Sequence, residues 1–299
     1  MSTRAMGPIA GFRWLMNAIN LGRNNPKAVF GAAALSLLAM LLPSIVTLPL
    51  QVGATPGGGR FFASVAVSVL LGLLVIPLYG GMLSVIDAAE HGRPTKATDV
   101  FAPYRHGGGA LRIIGFAVCM LLVALAGFAI IVGIAGMDII HWYMQVLAAQ
   151  GSKAAPDVIR HLPAGFGTAM ALLALFWLLL IGVHAVGYGQ VALGGRTPLA
   201  ALKDGFIGSI KNLLPVLALV VGMIVAWIAI ALALLLVVGI AALLAKVVGM
   251  WLLFVVAVPV YIAMVLALYV VMFGVMYFMW RDICGGSDTS TQAVAAMAA

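Results

Sequence analysis

Ionisable residues inside long apolar stretches are the first candidates for chemistry in this chain. His184, in the stretch LLLIGVHAVGYGQ, lies eleven residues before Gly195 and has Tyr188 one helical turn away. Eleven helical residues span about 16 Å, which is deep enough to place His184 inside a bilayer. One interpretation is a proton relay or ligand contact that uses His184, Tyr188 and Gln190. The other is a neutral histidine hydrogen-bonded across helices. It is favoured because no second metal ligand or acid lies nearby in the sequence.

Asp87 is the other polar candidate, at the end of the second apolar stretch. When the later turn at Gly195 is aligned with the turn at Gly92, Asp87 falls opposite Gln190, so both stretches end on a polar group. Charges at the end of a membrane helix are usually solvated or paired, and Arg93, Lys96 and Arg281 are possible partners. A structural role is therefore favoured for Asp87 as well.

The remaining polar residues do not form a catalytic pattern. Asp138 and His141 are spaced i, i+3, and His161 follows in the same connection, but solvated surface histidines are favoured over a metal site. The chain contains no Walker A, HExxH, GxSxG or CxxC motif. Cys119 and Cys284 imply no disulfide. We therefore predict no catalytic residue, no metal, no cofactor and no enzymatic activity.

The last apolar stretch carries an aromatic stripe with a helical spacing. Tyr261, Tyr269, Phe273 and Tyr277 recur at multiples of four residues, and Met272, Met276 and Met279 lie nearby. Soft methionine contacts suit a groove that binds an amphiphile. Helix packing with an interfacial aromatic belt explains the same pattern and is favoured.

The composition determines the class of protein that must hold these residues. The chain has 299 residues, of which 65% are hydrophobic and only 8% are charged, and its mean hydropathy is +1.20. This composition excludes a water-soluble domain and predicts an integral membrane protein. The net charge of +8 indicates basic residues beside membrane spans and near anionic lipids, not nucleic acid.

Six apolar stretches are each long enough to cross a bilayer, so the predicted fold is an all-α polytopic bundle. We place them near residues 28–50, 61–86, 111–136, 165–191, 213–242 and 250–279, with residues 243–249 as a tight hairpin. Kinks are expected at Pro43, Pro49, Pro77 and Pro259.

The distribution of basic residues predicts an orientation in a bacterial inner membrane, with both termini cytoplasmic. Twelve Lys and Arg fall on the predicted cytoplasmic side and four on the other. The twelve are Arg4, Arg13, Arg23, Lys27, Arg93, Lys96, Arg105, Arg112, Arg196, Lys203, Lys211 and Arg281; the four are Arg60, Lys153, Arg160 and Lys246.

The residues before the first span predict a short amphipathic helix. Phe12, Met16 and Ile19 share one face, whereas Arg13, Asn17, Asn20 and Asn24 lie on another, with Trp14 on the flank. Asn25-Pro26 then begins the first span. Residues 139–147 suggest a further interfacial helix on the outer side. The predicted interfacial anchors are Trp14, Arg13, Arg93, Arg196 and Trp280.

An internal repeat organises the chain. GRPTKATDVF at 92–101 returns as GRTPLAALKDGF at 195–206, and the N-terminal segment follows the same plan. The predicted unit is an interfacial helix followed by a two-span hairpin, which occurs in parallel at 8–91, 92–194 and 195–282. Together these units form one membrane domain, 1–284, followed by a disordered tail, 285–299. The Gly-Arg-Pro joint is predicted to be a turn.

Several of these stretches resemble a known family. Trp14 with Asn25-Pro26, Asp87-Ala-Ala-Glu-His-Gly-Arg-Pro94, Asp99-Val-Phe101 and Tyr277-x-x-x-Arg281-Asp282-Ile283 are similar to an uncharacterised family of bacterial six-span inner-membrane proteins. That family is similar in plan to the membrane domain of some glycerophosphodiester phosphodiesterases. The resemblance implies a topology. It implies no catalytic residues, and the phosphodiesterase barrel is absent from this sequence.

Two functions follow from the sequence. The favoured one is a non-enzymatic scaffold, assembly or envelope-homeostasis protein that acts through membrane lipids and other membrane proteins or a homo-oligomer. The alternative is a transporter or channel for a small amphiphile or lipid, with its site between the repeats. A water-accessible cavity that reaches His184 would favour the alternative, whereas a dry packed bundle would favour the scaffold.

Overall fold

The computed structural model describes residues 3–52, 58–149, 162–249 and 251–285, and the regular structure within these ranges is entirely helical. Six stretches are long and apolar enough to cross a membrane, which confirms the all-α polytopic bundle. The helices are α1 Ala10–Ile19, α2 Pro26–Gln51, α3 Gly59–Val75, α4 Pro77–Glu90, α5 Ala110–Ala135, α6 Asp138–Ala149, α7 Phe166–Ala192, α8 Pro198–Lys211, α9 Leu213–Val248 and α10 Trp251–Cys284.

The first and the fifth span show how local chemistry sets the helix ends. At the start of α2, the Asn25 side chain accepts a hydrogen bond from the Ala28 amide at 3.2 Å, and Pro26 occupies the first turn as predicted. The predicted hairpin at residues 243–249 is wrong. α9 continues through Val248 and stops only at Gly249, whose φ of 121° favours glycine.

The second span is divided into α3 and α4 at Pro77. Proline has no amide hydrogen and begins α4 instead of continuing α3. The Tyr104 hydroxyl donates to the Leu74 carbonyl beside this break, at 2.5 Å. Burial raises the pKa of Tyr104, so its hydroxyl stays protonated and able to donate. Pro43 and Pro49 lie inside α2, and Pro259 lies inside α10, without dividing either helix.

Both Gly-Arg-Pro joints are turns, as predicted. Gly92 and Gly195 have φ values of 64° and 62°, a left-handed conformation that ends a helix readily in glycine. In each joint the arginine pairs with an aspartate, but the partners differ. Arg93 pairs with Asp87 at the end of α4, whereas Arg196 pairs with Asp204 in α8.

Three short segments lie at the same end of the bundle, because consecutive spans alternate in direction. We call this the short-helix end; its segments are α1, the 3₁₀ helix Ala97–Tyr104 and α8. The middle segment is a 3₁₀ helix and not an α-helix. Pro103 removes an amide donor from it, and the Asp99 carboxylate caps its start by accepting from the Lys96 amide at 2.8 Å.

Each short segment packs on the hairpin that precedes it, and the first segment packs on the last hairpin. α8 contacts α5 and α7, the 3₁₀ helix contacts α2 and α4, and α1 contacts α9 and α10. Glycines permit two of these close approaches. A Cβ atom at Gly81 would lie 1.8 Å from the Val100 carbonyl oxygen, and one at Gly11 would lie 2.1 Å from the Pro215 carbonyl oxygen.

This packing corrects the prediction for Trp14. α1 has the predicted apolar and polar exposed faces, but a third face is buried against α9 and α10. Trp14 lies on that third face with no exposed surface, and its Nε1 donates to Asp282 at 2.9 Å. It therefore fastens α1 to the end of α10 and does not anchor the chain in lipid headgroups.

The buried core is concentrated toward the short-helix end. α7 is buried almost continuously from Gly182 to Val191, whereas its first half is exposed or half-buried apart from Ala169. In the apolar core of each spanning stretch, between 11% and 33% of residues are buried within the protein. The remaining apolar side chains face outward, where a membrane supplies lipid contacts.

Candidate functional site

A cavity of about 540 Å³ lies among α4, α5, α7, α9 and α10. Its wall is formed mainly by aliphatic and methionine side chains, and no Lys, Arg, Asp or Glu is among its lining residues. Methionine is flexible and polarisable, so this wall can adapt to apolar chains of different shapes. The methionines are Met120, Met223, Met272, Met276 and Met279.

Three polar side chains meet on this apolar wall: Tyr79, His184 and Tyr188. The His184 ring centroid lies 4.5 Å from that of Tyr188 and 6.2 Å from that of Tyr79, and the two tyrosine rings are 5.5 Å apart. Among the described residues, none forms a hydrogen bond with any of these three side chains. This differs from the cross-helix hydrogen bond that the sequence favoured for His184.

Rigid neighbours hold the three rings in place. Tyr79 lies in the first turn of α4, immediately after the break at Pro77, and packs edge-on against Phe273 at 5.0 Å. Tyr188 packs edge-on against Phe116 at 4.8 Å. Gly187 admits the Phe116 ring, because a Cβ atom there would lie 2.1 Å from it. The polar atoms are therefore presented by a fixed aromatic cluster.

The other two predicted members of the intramembrane polar site lie elsewhere. Gln190 is buried and donates to Asp204 at 3.0 Å, while Arg196 Nε lies 3.3 Å from the same carboxylate, so this group fastens α8 to α7. Asp87 lies at the short-helix end, where Tyr277 donates to it at 3.1 Å and Arg93 pairs with it. The structure thus brings together His184 and Tyr188 only.

The predicted aromatic stripe of α10 does not line one groove. Tyr261 is 62% exposed, whereas Phe273 and Tyr277 are fully buried. Tyr269 lines a separate cavity of about 470 Å³ between α1, α9 and α10. The two cavities share Met223 and Met272. The sequence placed the methionines of α10 beside the stripe, and it is these methionines that line the larger cavity.

The remaining predicted anchors differ in their surroundings. Arg13 is exposed on α1, and Arg93 and Arg196 form the ion pairs described above. Trp280 is partly buried, and its Nε1 atom is buried without a hydrogen-bond partner among the described residues. Tyr79 is the residue that the sequence analysis missed. Tyr79 could have been identified as a candidate from its position inside an apolar stretch, two residues after Pro77.

No group of three or more metal-binding side chains occurs within the described ranges. Asp138 and His141 lie in α6, while His161, Lys153 and Arg160 fall outside the described residues, as does the predicted tail beyond Gly285.

Comparisons with protein-family models, curated proteins and solved structures find no match to this chain.

Proposed function

We propose that this integral membrane protein is a non-enzymatic lipid-handling protein or transporter that binds an uncharged amphiphile in the cavity at His184. One observation carries the proposal: an apolar cavity of about 540 Å³ holds three polar side chains that lack hydrogen bonds among the described residues. Ligand sites commonly combine such an apolar wall with a few convergent polar groups.

The chemistry of the wall defines the class of ligand. The methionine and aliphatic side chains match an acyl or prenyl chain, whose burial is favourable over the whole contact area. Tyr79, His184 and Tyr188 offer hydrogen bonds to a hydroxyl, carbonyl or amide group. A charged headgroup would lie in this cavity without a counter-charge and would be costly to desolvate. The ligand's polar group is therefore uncharged.

The packing of the short segments is compatible with this function and with a scaffold, because their inner faces contact the spanning hairpins while α1 keeps exposed outer faces. The observation that favours this function is the cavity beside His184. A cavity that reaches His184 is the feature that the transport and lipid-handling alternative requires.

We further propose a bacterial inner-membrane location with the short-helix end in the cytoplasm. The twelve-to-four distribution of Lys and Arg supports this orientation. The resemblance to the uncharacterised six-span family supports the location, and the six spanning stretches are compatible with that resemblance.

The decisive experiment fills the cavity from one helix and measures the bound amphiphile. Ala124 on α5 lines the cavity, whereas Ala126, two residues away, is exposed on the lipid-facing side. We expect native mass spectrometry of the protein in mild detergent to detect an uncharged amphiphile. Its occupancy should fall at least tenfold in Ala124→Phe and remain within twofold in Ala126→Phe. A wild-type protein without bound amphiphile, or equal occupancy in the two variants, contradicts the proposal.

A second variant tests the polar contact. His184→Phe keeps a ring of similar size but removes both ring nitrogens. Loss of one hydrogen bond of about 1 kcal/mol weakens binding about fivefold. The variant should fold normally, because no described residue depends on His184 for a hydrogen bond. An unchanged affinity would exclude His184 from ligand recognition.

A further inference from the structure

A second, polar cleft of about 480 Å³ lies at the short-helix end, and it shares no lining residue with the cavity at His184. It is bounded by the start of the chain, α1, and the ends of α4 and α10. We call it the polar cleft; its principal lining residues are Arg4, Arg13, Asp87, Trp280, Arg281 and Asp282. Three guanidinium groups and two carboxylates therefore face one opening.

Both carboxylates already have partners within the protein. Asp87 accepts a hydrogen bond from Tyr277 and pairs with Arg93. Asp282 accepts from Trp14 Nε1 at 2.9 Å and pairs with Arg281, whose Nε lies 3.9 Å from its Oδ1. The Arg13 side chain, by contrast, forms no ion pair or hydrogen bond with another described residue. Arg13 thus gives the cleft a positive charge that neither carboxylate neutralises.

The protein positions two of the three arginines beside the cleft, Arg4 through its backbone and Arg281 through its guanidinium group. The Arg4 amide donates to the Ile283 carbonyl at 3.0 Å, and the Arg4 carbonyl accepts from the buried Asn212 side chain at 2.9 Å. Asn212 also accepts from the Met6 amide at 2.7 Å. The Arg281 guanidinium lies 4.7 Å from the Phe278 ring centroid, which is a cation–π distance. The cost of ordering these groups around a ligand is therefore reduced.

Trp280 supplies an independent sign of a ligand. Its Nε1 atom is buried without a hydrogen-bond partner among the described residues, and its side chain lines the cleft. A buried donor without an acceptor destabilises the protein by about 1–3 kcal/mol. An anion bound close enough to this nitrogen would provide an acceptor for it.

We propose that the polar cleft binds a phosphate-bearing anion. Guanidinium groups match phosphate oxygens in geometry as well as in charge. The cleft lies at the ends of the spanning helices, where a bilayer crossed by these helices would place its phosphate groups. Two sources share this chemistry: the headgroup of an anionic phospholipid and free phosphate.

The test is isothermal titration calorimetry on the full-length protein in a non-ionic detergent. Three probes are used separately: dihexanoyl-phosphatidylglycerol, inorganic phosphate and dihexanoyl-phosphatidylcholine. The site variant is Arg13→Gln/Arg281→Gln. The control is Arg23→Gln/Lys203→Gln, which removes the same charge from exposed residues that do not line the cleft.

We expect the site variant to raise the Kd for the bound anion at least tenfold and the control to change it less than twofold. Saturable phosphatidylglycerol binding that is at least tenfold stronger than binding of the other two probes assigns a lipid headgroup. Preferential binding of inorganic phosphate assigns the free anion. The proposal is overturned if neither anion binds, or if the site variant and the control lose affinity equally.

The single variant Arg13→Gln keeps the test valid if Arg281→Gln disturbs folding. The Arg13 side chain makes no described hydrogen bond or ion pair within the protein, so its loss should leave the thermal midpoint unchanged while raising the Kd at least threefold. An unchanged Kd in this variant contradicts the proposal. Because the cavity at His184 is lined by other residues, amphiphile occupancy should be unaffected, and the two proposals can fail separately.

Discussion

Asp87 shows how a carboxylate is accommodated at the end of a membrane-spanning helix. Arg93, six residues away, was predictable as a partner from the sequence, because both lie at one turn. Tyr277 was not, since it is 190 residues distant and approaches only when α10 packs against α4. Similarly, the sequence identified His184 and Tyr188 by their spacing on one helix. It could not identify Tyr79, which another helix contributes.

The Tyr277 hydroxyl is expected to stabilise the fold through Asp87. Tyr277→Phe removes the hydrogen bond but keeps the buried ring, so the free energy of unfolding should fall by about 1 kcal/mol. Denaturant titration in detergent measures this change. Tyr261→Phe is the matched control on the same helix, because Tyr261 is 62% exposed and its hydroxyl has no described partner. Equal effects of the two substitutions would show that the Asp87 contact does not contribute.

At the scale of helices, the positions of the six spans could be predicted from apolar length alone. A bilayer requires about 20 residues per span, whatever the tertiary contacts. The packing of the short segments could not be predicted in this way. The sequence pattern of α1 predicts a helix with two faces. Its third, buried face combines the small residues Ala10, Gly11 and Ala18 with Trp14 and Leu15, and its burial requires a partner surface.

Gly81, at the contact between α4 and the 3₁₀ helix, is expected to be essential for the stability of the fold. In Gly81→Ala the new Cβ would lie 1.8 Å from the Val100 carbonyl oxygen, and backbone atoms cannot move aside by changing rotamer. The free energy of unfolding should fall by about 1–3 kcal/mol, or more if the segments separate. Gly72→Ala in α3 of the same span meets no atom within 4 Å. It should be neutral or slightly stabilising, since alanine favours helix. A harmless Gly81→Ala would contradict the close approach.

At the scale of the whole molecule, the contacts between short segments and hairpins link the end of the chain back to its start. Each short segment covers the preceding hairpin, and α1 completes the arrangement by covering α9 and α10. The three parallel units predicted from the Gly-Arg-Pro joints stay a prediction, because the contacts join each short segment mainly to the hairpin before it, or for α1 to the last hairpin, and not to the hairpin that follows it in the predicted unit. The packing of α1 on α10 explains why the first segment of the chain is fixed to the end of the last helix through the hydrogen bond between Arg4 and Ile283.

The topology predicts that Arg13, Arg93 and Arg196 lie on one membrane face. Single cysteines at these positions, in a background without Cys119 and Cys284, should all react with a membrane-impermeant maleimide from the same side. A cysteine at Tyr143, which is exposed on α6, should react from the opposite side. Labelling of the three arginine positions from different sides would refute the parallel arrangement.

The packing of α1 against α10 can be tested by substituting two neighbouring residues of α1. Ala18 is buried against α10, where a Cβ atom at Gly274 would lie 2.9 Å from the Ala18 Cβ, whereas Asn17 is exposed. Ala18→Leu should force α1 away from α10 without altering any span, and Asn17→Leu should not. Cleavage by trypsin after Arg13 requires local unfolding of α1 and should become at least tenfold faster in Ala18→Leu only. Equal cleavage rates in the two variants would mean that α1 does not hold the first unit to the last.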